Sequence, residues 1–269
     1  VIPRAVPSRP WPGTASLEVA HVWVRRGTWS GPFVLDEKPT SGITAFLTSP
    51  GTVGGNPYRL KANEGKSFQG SIVLGMGFVL EPEEAQRLIE KDARNKDVLF
   101  PYLNGEDLNS RPDQSPSRWV INFFDWPIEK AREYPDCFRI VEEKVKPERM
   151  KNNRKVYRDR WWHYAEKRPE LYRTIAGMKR VLVFAQTSKT KYPALTAERI
   201  VFDQKTVVIA SSKDSWFALL CSHLHHYWVL AYGSSLRTDA VYTSSDCFET
   251  FPFPDKLVGL DAIGERYHD

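Results

Sequence analysis

Between Gly233 and Pro254 the chain carries side chains suited to hydrogen-bonded recognition rather than to bond breaking: Ser235, Arg237, Thr238, Asp239, Thr243 and Ser245. Arg237 and Asp239 are the only fully charged residues between Gly233 and Ser245. Base edges in the major groove of DNA present a distinct donor and acceptor pattern for each pair, and one matched arginine or carboxylate discriminates by about 1–3 kcal/mol. On an extended backbone residues 237 and 239 share one face, so they could address the same or adjoining base pairs. Ordinary loop solvation, or an Arg237–Asp239 pair across a turn, explains the same residues without a ligand. A second polar loop, Thr187-Ser188-Lys189-Thr190-Lys191-Tyr192, offers Lys189 and Lys191 as further base readers.

Charge points the same way. Net charge is +5, yet Lys144 to Arg180 alone holds thirteen Lys/Arg against four acids, a local +9, so the remainder sums to −4. A basic block of this kind neutralises backbone phosphates, and Lys151, Arg154, Lys155, Arg158 and Arg160 are the residues expected to do so. A solvated helix face is the ordinary alternative. The block is interleaved with Tyr157, Trp161, Trp162, Tyr164 and Tyr172. If Trp161, Trp162 and Tyr164 face outward, they would serve as stacking platforms for RNA or a single strand.

Patterns that suggest catalysis are weaker. Pro135-Asp136 with Glu142-Glu143-Lys144 imitates a nuclease metal site, which would make the chain a metal-dependent nuclease. Such acids should sit on adjoining strands to share an ion, whereas here they are close together in a stretch that reads as helix. His223, His225 and His226 lack a partner Cys/His pair at metal-binding spacing, so packing or hydrogen bonding explains them better than zinc. Asn56-Pro57-Tyr58 matches the Asn-Pro-Pro-aromatic loop of amino-methyltransferases in part, with one proline missing, and a turn suffices to explain it. Leu74-Gly75-Met76-Gly77 lacks the third glycine and the distant acid of a dinucleotide loop.

The positioning elements follow from periodicity and punctuation. Ser215 to Tyr232 is apolar on nearly all sides, which predicts a helix buried on most faces and ended by Gly233. Phe251-Pro252-Phe253-Pro254 forms a rigid exit that is neither helix nor central strand. Upstream, the proline-rich residues 1–13 read as irregular, Ala15 to Val24 as a strand, and 36–70 as loops with brief strands. Ser71 to Leu80 reads as a buried strand, its Gly75 and Gly77 marking a bulge or a close backbone approach. A helix follows from Glu81 to about Asp92, with proline and acids in its first turn. Asp97 to Leu108 contains a loop at Asn104–Asp107, and Arg118 to Phe124 is a further strand. The helical region from Trp126 is divided by Pro147 and Pro169. Strands Arg180–Gln186, Arg199–Asp203 and Thr206–Ala210 precede the apolar helix, and Leu257 to Tyr267 is the last helix. This order implies an α+β fold, with a mixed or mainly antiparallel sheet, a buried central helix and a basic helical block.

At 269 residues the chain suffices for one large domain or two modest ones. No apolar run reaches the ~18 residues of a membrane span. Cys137, Cys221 and Cys247, odd in number and far apart, fit a reduced cytoplasm. Val1 in place of Met suggests a piece of a longer protein.

Several stretches together resemble one family. They are Ser71–Leu80 with Glu81-Pro82-Glu83-Glu84-Ala85; Asp97 through Asn109 (DVLFPYLNGEDLN); Arg118-Trp119-Val120-Ile121-Asn122-Phe123; and Glu249-Thr250-Phe251-Pro252-Phe253-Pro254. They resemble the target-recognition region of type IIL (MmeI-like) restriction–modification and adenine-N6 DNA methyltransferase proteins. The resemblance implies that 1–35 is the tail end of a methyltransferase domain, 36–254 the recognition domain, and 255–269 the start of a C-terminal helical region. It further implies a bacterial, cytoplasmic parent that methylates adenine in double-stranded DNA with S-adenosylmethionine, and that uses Mg if a nuclease is present. This chain would bind DNA beside the methyltransferase domain of the same protein, hold no cofactor and have no catalytic residue of its own. The family is similar in placing its specificity residues just before the Phe-Pro exit.

Overall fold

The computed structural model of the chain describes residues 1–15, 17–45, 47–50, 57–197, 199–236 and 239–268. The chain divides into two units: Val1–Tyr58 with Ser235–Asp239, and Arg59–Ser234 with Ala240–Asp269.

In the first unit, residues expected to be irregular form strand β1 (Arg4–Pro10), which pairs antiparallel with β2 (Glu18–Trp23). Proline tolerates this because the register breaks between Val6 and Arg9, around Pro7. On its other side, β3 (Phe33–Leu35) pairs only with Arg4 and Ala5, so Pro7 and Pro10 lack a ladder to disrupt there. A fourth strand, β4 (Lys38–Thr40), completes the order β2-β1-β3-β4. Along β1 and β2 only Ala5 and Val6 are buried.

The second unit contains two four-stranded sheets. One comprises β5 (Ser67–Gln69), β9 (Arg180–Ala185), β10 (Ala194–Ala197) and β12 (Thr206–Ile209), ordered β10-β9-β12-β5 and antiparallel throughout. The other comprises β6 (Val79–Leu80), β7 (Leu99–Leu103), β8 (Arg118–Ile121) and β11 (Val201–Phe202), ordered β11-β7-β8-β6, with the β11–β7 pair parallel. With its helices this is a mixed α+β fold.

Burial explains the run RVLVFA in β9. Leu182 and Phe184 enter one core and Val181 and Val183 enter another; Val207 and Ile209 are likewise parted from Val208 in β12. Strands covered on both faces need no polar alternation. The third core joins β6, β7 and β8 to helices α1 (Pro82–Lys91) and α4 (Pro135–Lys144).

The expected strand Ser71–Leu80 is broken. Ser71 and Ile72 make isolated bridges, Met76–Phe78 is a 3-10 turn, and only Val79–Leu80 is strand. The backbone leaves the extended region at Leu74 (φ +50°) and Gly75 (φ +144°), and at Gly77 a Cβ would lie 2.5 Å from Lys144 Cβ, so α4 packs directly on this turn. The expected loop at Asn104 opens α2 (Gly105–Ser110) instead. Asn104 Oδ1 accepts from the Glu106 and Asp107 amides, and Asp107 accepts from the Asn104 amide. Strand β10, directly after the Thr187–Tyr192 loop, is an addition to the strands expected from periodicity.

Four short helices precede β9: α3 (Ile128–Ala131), α5 (Lys146–Met150), α6 (Lys155–Asp159) and α7 (Pro169–Ile175). The apolar helix is two helices, α8 (Asp214–Leu220) and α9 (His223–Tyr232), because the Ser222 hydroxyl caps the second by accepting from the His225 amide. Nor is α9 buried on most faces: Leu224, Tyr227 and Leu230 are exposed. The last helix, α10 (Leu260–His268), meets α8 where Gly264 leaves no room for a Cβ, which would sit 2.0 Å from the Asp214 carbonyl. Among the described residues no helix is long and apolar enough to cross a membrane.

Candidate nucleic-acid interface

The polar segment after α9 starts and ends at fixed points of the second unit. At the start, the Gly233 amide closes α9 on the Val229 carbonyl. A Cβ there would fall 2.6 Å from that oxygen, so glycine is required by close approach. At the end, Tyr242 stacks on Phe184 at 3.9 Å and its amide donates to the Gln186 carbonyl. Thr243 caps a π-helical turn, Ser244–Phe248. Asn63 then holds the exit: its Nδ2 lies within hydrogen-bonding reach of the carbonyls of Phe248 (3.1 Å), Glu249 (3.3 Å) and Phe251 (2.8 Å). Phe253 stacks on Trp216 at 4.7 Å.

Between these points lie β13 (Ser234–Leu236) and β14 (Asp239–Val241), a two-stranded ribbon. Ser235 falls in β13 and Asp239 in β14; Arg237 and Thr238, and with them the shared face of 237 and 239, lie outside the described residues. The hydroxyls of Thr243 and Ser245 are engaged locally, both donating to the Asp246 carboxylate at 2.9 and 3.1 Å. Lys189 is exposed, whereas Lys191, expected at the surface, is 2% exposed and turned inward.

Thr243 and Ser245 nonetheless line a cleft of about 630 Å³, together with Ser244, Glu249, Gln186, Gln69, Lys167 and Arg168. Gln186 has no side-chain partner among the described residues, so its amide can both donate and accept there. Arg168, held at φ +54°, donates to the Gly70 carbonyl and to Gln69 Oε1. Lys167 is ion-paired with Asp125, and that contact holds the Asp125 carboxyl below the usual carboxylate range. Gln186, Lys167 and Arg168 carry no distinguishing sequence signal. Strand pairing and the turn before α7 bring them to the cleft.

The basic block divides by orientation. Lys151, Arg154, Lys155 and Arg160 are exposed and Arg158 is half-buried, and none of the five forms an ion pair among the described residues. Arg158 donates to the Asn152 carbonyl at 2.6 Å, so part of its role is to hold the turn before α6. Arg149 is 3% exposed and donates to the carbonyls of Val73 and His163.

The aromatics of the block are not stacking platforms. Trp161 and Tyr164 are core residues, and the Tyr164 hydroxyl donates to the Ile121 carbonyl. Trp162 packs against the same core and donates to the Trp126 carbonyl. The nuclease arrangement fails on geometry too. Asp136 and Glu142 lie on the single helix α4, and Asp136 pairs with Lys91, Glu142 with Lys146 and Lys144 with Glu84. No cluster of metal-binding side chains occurs among the described residues. His225 is buried, its Nδ1 facing the Leu220 carbonyl and its Nε2 the Tyr242 hydroxyl, and burial pushes its pKa down to about 4.

A family model described as the MmeI target recognition domain matches residues 66–255. Among solved structures the chain is similar to that of the type IIL restriction–modification enzyme MmeI in complex with DNA, with a TM-score of 0.72 and 17% identity. The likeness covers 98% of this chain and 37% of that one, so the chain spans little more than a third of that enzyme's length. At this identity the likeness concerns the fold alone. No curated protein matches the sequence.

Proposed function

The chain belongs to the MmeI target recognition domain family, and from that premise we propose that it reads base sequence in duplex DNA on behalf of a longer bacterial restriction–modification protein. The observation that carries the reading is the family match itself, which extends over both sheets, the polar cleft and the Phe-Pro exit of the second unit. Two physical features support it. Lys151, Arg154, Lys155 and Arg160 are exposed cations without internal ion-pair partners among the described residues, which suits exchange with the counterions of a phosphate backbone. The segment between Gly233 and Thr243 offers Arg237 and Asp239 for base edges, while Gln186, Thr243 and Ser245 present amide and hydroxyl groups in a cleft.

In this reading the methyl transfer belongs to another part of the same protein, an adenine-N6 methyltransferase domain using S-adenosylmethionine, and this chain selects the site. Its test is done in the full-length protein. Exchanging Arg237 or Asp239 should change the base accepted at one position of the methylated sequence and leave the other positions intact, as read by mapping methylated adenines. If the double exchange leaves the methylated sequence unaltered, the reading residues lie elsewhere, and Gln186 and Lys189 are the next to exchange.

A further inference from the structure

A second cavity, about 520 Å³, adjoins the polar cleft and shares Lys167 and Pro169 with it. Its character is different. Phe100, Phe124, Tyr172, Ile200 and Val201 give it apolar walls, while Asn122, Asp125, Lys167 and Arg199 supply a few polar groups. A mostly apolar concavity with a few placed polar groups is the usual form of a small-ligand site, and this volume falls within the usual range of about 300–1,000 Å³.

Two details go beyond a surface hollow. Phe124 has φ +51° and is 38% exposed. A bulky residue held left-handed is strained and persists only where its surroundings enforce it. The enforcing group is Asn122, whose Oδ1 accepts the Phe124 amide at 2.9 Å. That bond orients the Asn122 amide, leaving its Nδ2 donor without a partner among the described residues, on a side chain that is 8% exposed and lines the cavity. The second detail is the aromatic pair at the rim. Phe124 meets Phe100 edge-on at 5.6 Å, and the Arg199 guanidinium lies 5.6 Å from the Phe100 ring centroid.

We infer that this cavity takes a single unstacked nucleotide. Its base would lie against Phe100 and Phe124 with a ring acceptor on Asn122 Nδ2, and its phosphate would face Lys167 and Arg199. Aromatic walls suit any base, since each has a π-face. An amide donor open to the cavity suits the acceptors on a base edge, and the two cations outnumber the one carboxylate, Asp125. The nucleotide comes either from DNA, extruded from its stack, or free from solution. The DNA source rests on the duplex reading above; the free source does not.

The test uses the whole chain and two fluorescent probes: 2-aminopurine deoxyribonucleoside monophosphate, and a duplex with 2-aminopurine either paired or opposite an abasic site. Asn122→Asp keeps the acceptor that holds Phe124 but removes the donor, Phe124→Gly relieves the strain and removes the ring, and Arg199→Gln alters only the exposed rim. A DNA source predicts that the unpaired duplex binds about tenfold more tightly than the paired one, and that Asn122→Asp and Phe124→Gly abolish the preference. A free source predicts saturable binding of the mononucleotide, weakened about tenfold by the same variants, with no preference between duplexes. Mononucleotide binding without any binding of paired duplex would sink the duplex reading and leave the cavity assignment standing. If neither probe responds to variants that melt at the parent temperature, or to Arg199→Gln should the other two fail to fold, the inference is wrong.

Discussion

Arg149 and Arg154 stand five residues apart in the same basic stretch and act in opposite directions. Arg149 is enclosed, bonded to two carbonyls, and burial lowers its pKa from the ordinary arginine value. Arg154 is exposed, with the Tyr157 hydroxyl as its side-chain contact. The inward set also includes Arg180, whose Nη2 donates to both Asp214 carboxylate oxygens at 2.6 Å, and Arg168 on Gly70 and Gln69. The outward set is Lys151, Arg154, Lys155 and Arg160. A charge count treats the sets alike, yet only the outward one is available to a polyanion. The histidines of α9 divide similarly: His225 is inside and His223 exposed.

The sharpest break of this contrast is Arg149→Ala. It orphans two carbonyls and leaves a void, so stability should fall by about 3 kcal/mol, measured by urea unfolding. A loss under ~0.5 kcal/mol, the size usual for surface sites, would place Arg149 with the outward set. Next in size, Asn63→Ala should cost about 2 kcal/mol by removing the buried amide that ties the exit carbonyls together, each of which keeps only its backbone donor. A crystal structure of that variant should show the Phe251–Phe253 segment displaced. If the exit stays in place at full stability, Asn63 is not its anchor.

The third effect depends on pH. Burial holds His225 near a pKa of about 4 in the fold, against about 6.5 unfolded. The folded value is the lower one, so the unfolded chain binds the proton first. Stability is therefore full above pH ~6.5 and is lost as pH falls toward ~4, by about 1.4 kcal/mol at pH 5.5. His163, also lowered by burial, adds a change of the same sign. Thermal melts of the parent and His225→Gln should converge as pH drops from 7.5 to 5. Parallel curves would show that His225 does not carry the dependence.

The smallest effect on folding belongs to the outward set. Lys151→Ala, Arg154→Ala, Lys155→Ala and Arg160→Ala combined should leave stability within about 0.5 kcal/mol. The same variant should flatten the log–log salt dependence of duplex binding by about 0.9 for each phosphate that is no longer neutralised. An unchanged slope would mean the outward cations do not touch the backbone.

What the sequence revealed depended on how local its cause was. The α1 start, the strands around Val120, Val183 and Val208, and the close approach at Gly77 were legible because proline, acids, β-branched runs and glycine act within a few residues. The first-unit strand β1 was not, since its prolines are tolerated only through a partner's register, which is a property of pairing. The helix break at Ser222 was legible in principle as an N-cap, but the apolar run on either side masked it. In the candidate interface, the outward cations and the Phe-Pro exit could be named in advance. Lys191, Trp161 and Tyr164 were misplaced because composition does not say which way a side chain turns. Asn63 and Asn122 escaped notice because an asparagine's role is defined by carbonyls or amides brought to it by folding.

The two ends of the Gly233–Thr243 segment have a consequence for how such a protein can change. One end is set by a glycine amide closing a helix, the other by a stacked tyrosine, a capping threonine and an asparagine that grips three carbonyls. None of these contacts involves residues 235 to 239. Substitutions there leave the posts standing, so new side chains can be tried one at a time on a mount that already exists. A lineage can then vary that segment without passing through an unfolded intermediate.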